Sequence, residues 1–496
     1  MPSSRACDRC RVVKGKCVFE DNSRACLRCR HAQEKCETRR HQLAPGRRPV
    51  LRVFGNGCTE QVWRNNYSAS EELKWDYSPQ APQITGSAAA SSFISRHVRL
   101  QDPATINSAV SNLLCRYAGL ADSSVVSLQG CALDLQEFYM ANKQFVIGPT
   151  FVREFHSTLT SIYLSSPLLL EHTFLAILGA LSEPHHRKSM VDQVYVKRGA
   201  TGLEQLRTTH INSIHVAAGI LLLGQSLATF DIFTTCMGSH MILRHSLTGV
   251  KPWYPALCRE EWLHSITATP VLMDTVECLV KRQIPVIRFA PDLHRVDRFV
   301  GICSSFLPIL YELCDLSNAA SMAGSASAYG EASAYGDPAI FLGIEEKVRS
   351  WEPTIPSGFA ENYFASEVLI MLTQARVYRL AALLVIHRLK NPFGVNDEIA
   401  EVYANAIVSD FKQCSTQLQG KTTMQNTSFP LLVAILEVTR ECGDEILEMI
   451  PGPGISVAYL TKFVTFVNFI RSARENGFRG LWFDLVPKGP EICILP

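Results

Sequence analysis

The chain has 496 residues, 47% of them hydrophobic and 19% charged, so it can bury a sizeable core and is not a mostly disordered polymer. Its formal charge of +2 hides an asymmetry: residues 1–50 carry thirteen Lys or Arg against five Asp or Glu, and the remainder carries 35 against 41. A basic head on a mildly acidic body is the distribution expected when the head meets a polyanion.

No signal peptide is expected, because the stretch from Cys7 to Cys17 sits where an apolar run would be needed. The longest purely apolar stretch, 216–224, falls far short of the ~20 residues that cross a bilayer. A soluble intracellular protein without a membrane partner is expected. Its seventeen cysteines are then not a disulfide framework. Eleven of them are scattered, mainly through apolar segments, as ordinary buried thiols.

The other six are Cys7, Cys10, Cys17, Cys26, Cys29 and Cys36, spaced Cys-x2-Cys-x6-Cys, then eight residues, then Cys-x2-Cys-x6-Cys again. Aligning 6–17 with 25–36 matches seven of twelve positions, so two similar halves are expected. Structural zinc takes four tetrahedral ligands and favours thiolates. Six thiolates complete two tetrahedra only if two sulfurs bridge, which gives two Zn(II) ions and a net charge of −2. Arg9, Arg11, Lys14, Lys16, Arg28, Arg30 and Lys35 surround that charge and favour deprotonated sulfur. The segment has almost no large apolar side chains, so metal binding must supply its stability.

The runs 6–17 (Ala-Cys-Asp-Arg-Cys-Arg-Val-Val-Lys-Gly-Lys-Cys) and 25–30 (Ala-Cys-Leu-Arg-Cys-Arg) resemble the fungal binuclear zinc-cluster transcription factors. The resemblance covers about 7% of the chain. It implies a short helix followed by an extended strand in each half, with Cys7 and Cys26 as the bridging ligands. It also implies that Lys14 reads the guanines of a CGG-type triplet, which offer two acceptors in the major groove. Arg11 and Lys16 are expected on phosphates, and Arg39 and Arg40 continue the basic surface as a DNA-backbone arm or nuclear-import signal. Two departures stand out. Val13 replaces the second basic residue usual in the family, and 18–25 lacks the usual proline.

Residues 41–92 are expected to be a linker, basic at first and then rich in Ser, Pro and Gly. No heptads follow the cluster, so any homodimer is expected to form through the C-terminal part. From 93 to 496 helical spacing dominates, as in Phe151, Phe155 and Leu159, with long apolar runs at 199–233 and 363–389. Turn residues such as Pro149 and Pro184 fall between the runs. A flexible insertion is expected at 317–338, where Ala-Ser-Ala-Tyr-Gly occurs twice. The segments 173–177, 195–199, 376–380 and 386–388 resemble the helical regulatory domain commonly found behind the fungal cluster.

No histidine pair nominates a metal site: His210 with His215, and His240 with His245, miss the four-residue helical step. Gly-rich phosphate loops, a G-x-S-x-G elbow and H-E-x-x-H are absent, and no catalytic residue is assigned. Two acid–apolar segments, 437–450 and 482–485, are candidates for coactivator contacts or for amphipathic helices on the domain surface.

The expected fold is a small metal-folded binuclear zinc cluster over 1–40 followed by a large all-α regulatory domain. The expected function is a nuclear, non-enzymatic, sequence-specific transcription regulator of RNA polymerase II type that binds double-stranded DNA. The alternative is a zinc-cluster module that docks on protein or RNA without reading DNA.

Overall fold

The computed structural model describes Cys10, Cys17, 26–33, Cys36, 50–53, 59–62, 145–182, 189–290, Asp292, 295–326, 338–418, 426–450 and 456–496. The chain divides into two units, Met1–Val98 and Arg99–Pro496.

In the first unit the described residues form the short helix α1 (Leu27–His31) and a two-stranded antiparallel hairpin. Strand β1 (Val50–Val53) pairs with β2 (Thr59–Val62), Val50 opposite Val62 and Val53 opposite Thr59. Both strands fall within 41–92, the segment expected to be a linker. Val-Leu-Arg-Val and Thr-Glu-Gln-Val are each half β-branched, which suits a strand. Four-residue strands are too short to show a period.

Among the described residues of the second unit the regular elements are all helices. Its first helices are α2 (Pro149–Ser165), α3 (Pro167–Ser182), α4 (Ser189–Thr208), α5 (Ile214–Thr234) and α6 (Ser239–Val250). A short α7 (Tyr254–Leu257) leads to α8 (His264–Lys281) and α9 (Leu307–Ala326). Then come α10 (Leu342–Ser350), α11 (Phe359–Asn362), α12 (Ala365–Lys390), α13 (Asp397–Gln417), α14 (Ser428–Ile435), α15 (Arg440–Met449) and α16 (Val457–Glu475). Pro149 begins a helix instead of separating two, because proline's fixed φ suits a first turn that has no partner for its N–H.

Helix α5 is the hub, packed by α2, α3, α4, α6 and α16. Both α5 and α12 are long and apolar enough to cross a membrane by length and composition, yet 72% of each apolar window is buried inside the body, as in core helices. Gly224 lets α6 approach α5: a Cβ there would lie 2.2 Å from Ser246 Cβ. Ser246 instead donates its hydroxyl to the Ile220 carbonyl at 3.0 Å. Ser456 serves two helices, accepting from the Tyr459 amide at the start of α16 and donating to the Ile232 carbonyl in α5.

Glu367 in the first turn of α12 does the same for α2. Its carboxylate accepts from the Phe364 amide (2.9 Å), the Thr150 amide (2.8 Å) and the Thr150 hydroxyl (2.6 Å). One negative charge therefore serves two helix N-termini.

The insertion expected at 317–338 is corrected over its first ten residues. Helix α9 runs through Ala326, and Ser317 is fully buried. Arg282 donates to the Ser317 carbonyl, and Asn318 returns a hydrogen bond to the Arg282 carbonyl at 2.9 Å. Tertiary contacts of this kind override a composition that by itself suggests a loop. Residues 327–337 lie outside the described residues.

Candidate metal centre

Cys26 is an extended residue immediately before α1, and its sulfur accepts the Cys29 amide at 3.4 Å. Sulfur thus fills the place that Ser or Asp usually takes as a helix N-cap. The Cys-x2-Cys spacing follows, since the capping residue and the third helical residue lie on one side of the first turn. After α1 the chain turns back through Gln33, whose φ of 53° lies in the left-handed region. Cys36 then returns to the cluster, where its sulfur accepts the Cys26 amide at 3.3 Å.

Cys10, Cys17 and Cys26 bring their sulfurs within 4.8 Å of one another, and so do Cys26, Cys29 and Cys36. Cys26 belongs to both trios. The Cys10 and Cys26 sulfurs are 3.7 Å apart, far beyond the ~2 Å of a disulfide. Two thiolates on one tetrahedral zinc, each ~2.3 Å from the metal, are separated by roughly 3.8 Å. The donor set and spacing therefore suit a thiolate-ligated metal. The Cys26 thiol is pulled down to about 6, chiefly by the Cys29 amide; burial opposes this, and the Cys29, Cys17 and Cys10 thiols add to the lowering. A sulfur already inclined to ionise is a ready ligand. Arg28, Arg30 and His31 are exposed on α1.

Of the residues expected to act in this unit, Cys10, Cys17, Cys26, Cys29 and Cys36 come together. Cys7, Arg11, Lys14, Lys16, Arg39 and Arg40 lie outside the described residues.

A second group of metal-type donors, not foreseen from the sequence, lies in the helical body. His240 Nε2 is 3.1 Å from Asp274 Oδ1, and Cys278 Sγ is 3.5 Å from the same oxygen. Arg244 decides its character, because Nη1 stands 3.2 Å from Asp274 Oδ1 and 2.8 Å from Cys278 Sγ. The guanidinium thus supplies the positive charge that a metal would bring. Burial and then the charge of Asp274 push the Cys278 thiol far up, so it stays neutral and a poor ligand. The trio is a buried ionic knot. Sequence spacing hides it because its members sit on α6 and α8, thirty-four residues apart for His240 and Asp274.

Other cysteines of the body are inert in the same way: burial raises the thiols of Cys258, Cys303 and Cys314. Cys236 differs, held down by a hydrogen bond with Cys493 and by the charge of Lys462. The acid–apolar segments also find their places. Trp482, Phe483 and Leu485 are buried in the core, which leaves no surface motif there. Helix α15 exposes Glu441, Asp444, Glu445 and Glu448 and buries Gly443 and Ile446, an amphipathic surface helix.

Compared with protein-family models, with curated proteins and with solved structures, the chain finds no match in any of the three.

Proposed function

We propose that the chain is a zinc-dependent, sequence-specific DNA-binding transcription regulator acting in the nucleus. Its first unit would read a CGG-like triplet and its helical body would regulate that head. The observation that carries the reading is the sharing of Cys26 between two thiol trios inside a repeated Cys-x2-Cys-x6-Cys sequence. A shared sulfur is what two tetrahedral ions need when only six thiolates are available.

In this reading Cys7, Cys10, Cys17, Cys26, Cys29 and Cys36 hold two Zn(II) ions, with Cys7 and Cys26 bridging. The ions supply folding free energy and no reaction. Lys14 donates to guanine acceptors, while Arg11, Lys16, Arg39 and Arg40 neutralise phosphates, so affinity falls steeply with salt. The basic excess of residues 1–50 supports the assignment.

The test is zinc content and selection from random duplexes, both on the full-length chain at physiological salt. Two zinc ions per chain and enrichment of a CGG-containing site, lost in Lys14→Ala, are expected. Two zinc ions without enrichment would transfer the head to protein or RNA docking. One zinc ion would end the shared-sulfur reading.

A further inference from the structure

The helical body contains a cleft of about 60 Å³ between α2, the start of α8 and residues 289–290 and 295–304. That is room for a small organic molecule or a few waters. Phe151 and Phe289 form apolar walls.

Two polar groups on the lining have spare hydrogen-bonding capacity. Ser265 is 4% exposed, and its hydroxyl has no hydrogen-bond partner among the described residues. Asp297 Oδ1 accepts the Phe299 and Val300 amides, both at 2.8 Å. Its second oxygen takes no hydrogen bond among the described residues. The cations beside them are committed elsewhere. Arg298 gives Nε to the Ser265 carbonyl, Nη1 to the Phe145 carbonyl (2.6 Å) and Nη2 to the Thr269 hydroxyl (3.3 Å). It also lies 3.7 Å over the Phe155 ring. Arg295 is ion-paired with Glu154 at 2.7 Å and Glu261 at 3.6 Å.

On the lining, Glu154 is paired with Arg295 and the guanidinium of Arg298 is taken up by its three acceptors, so neither cation is left for the second oxygen of Asp297. What the lining still offers is an acceptor and a hydroxyl. An anion would face the unpaired oxygen of Asp297, and an apolar ligand would leave both groups unpaired. Burial also raises the Asp297 carboxyl above the usual carboxylate range, a cost that a bound cation would offset.

We propose that this cleft binds a small organic cation of about the size of ethanolamine, with its ammonium on Asp297 and a hydroxyl on Ser265. The site lies wholly within the helical body, so it stands or falls independently of DNA reading by the head. Occupancy would tie the residues around Asp297 to α8, giving the body a means of sensing a small molecule.

The test titrates ethanolamine, acetate and 1-propanol into the zinc-loaded full-length chain, followed by calorimetry and thermal melting. Saturable one-to-one binding of ethanolamine alone is expected, with a Kd on the order of 1 mM or tighter for so small a ligand. Ser265→Ala should weaken it by about tenfold. Asp297→Asn should abolish it, because the amide oxygen still accepts both backbone N–H groups but the charge is gone. Ala268→Met, which fills the cleft, should also abolish it. Absence of saturable ethanolamine binding would overturn the site. Acetate binding equally well would overturn its cationic character, and unchanged affinity in Ser265→Ala would overturn the assigned site even if Asp297→Asn fails to fold.

Discussion

Arg388 and Glu437 form a two-point ion pair inside the helical body, with Nε to Oε1 at 2.8 Å and Nη2 to Oε2 at 2.6 Å. Their side chains are 2% and 1% exposed. Arg388 also reaches Asp397 at 2.8 Å, and Arg474 joins Glu437 at 3.2 Å and Asp397 at 2.9 Å. Both guanidiniums lie over the Phe393 ring. Two acids and two arginines thereby fasten α12, α13 and α16 to the turn after α14, each acid pairing with both arginines.

Removing one partner should therefore cost more than removing both. Glu437→Leu strands Arg388 and is expected to lower stability by about 3–5 kcal/mol, whereas adding Arg388→Met should recover part of that loss. Urea unfolding of the two variants and the parent protein checks this. Equal losses in the single and double variants would mean that packing, not charge pairing, sets the cost.

Metal loss should be cooperative at Cys26 and local at Cys36. Cys26 belongs to both sulfur trios and Cys36 to one. In the proposed two-zinc reading, Cys26→Ser is expected to lose both ions and Cys36→Ser to retain about one. The chain divides into two units, and a chelator is expected to strip the metal from the cysteine cluster while leaving the melting of the helical body in place. Metal analysis beside calorimetric melting reads both effects, and a body that melts with the chelated head would refute the independence.

The cysteine cluster was legible because covalent spacing alone puts Cys26 at the cap and Cys29 one turn on. The ionic knot around Asp274 was not, since His240 and Arg244 meet Asp274 and Cys278 only after α6 packs on α8. Composition misled at Ser317, where Ala- and Ser-rich sequence continues a helix because Arg282 and Asn318 fix it from outside. At Trp482 and Phe483 it offered only a docking segment or an amphipathic surface helix, whereas both side chains lie in the core. Local periodicity established helices in the body. What each helix packs against is a non-local fact that no window of sequence contains.

The knot gives stability a pH signature. Burial pushes Asp274 up, but hydrogen bonds from His240 and the Val286 amide, with the charge of Arg244, bring it below the usual range. A folded-state pKa below the unfolded value of ~3.9 means that the ionised form stabilises the fold above that pH. The stabilisation disappears as pH falls through the folded value. Asp274→Asn should thus cost about 2–4 kcal/mol at pH 7 and progressively less below about pH 4. Melting curves of both proteins from pH 7 to pH 3 test the convergence. A gap that stays constant with pH would assign the loss to packing.

Pro270 sits inside α8 without breaking it. It has no N–H to give the carbonyl four residues back, that of Ile266. Gln225 of α5 supplies the missing donor, with Nε2 2.8 Å from that carbonyl. A side chain on one helix thus repairs the backbone of another, and the two residues should be energetically coupled. Gln225→Leu is expected to cost about 1–3 kcal/mol by stranding the Ile266 carbonyl. The same substitution in a Pro270→Ala background should cost much less, because the restored amide can reach that carbonyl. A double-mutant cycle by urea unfolding measures the difference, which should exceed 0.5 kcal/mol if the contact carries the load. Strictly additive losses would show that Gln225 stabilises α5 alone and that the Ile266 carbonyl finds its partner elsewhere.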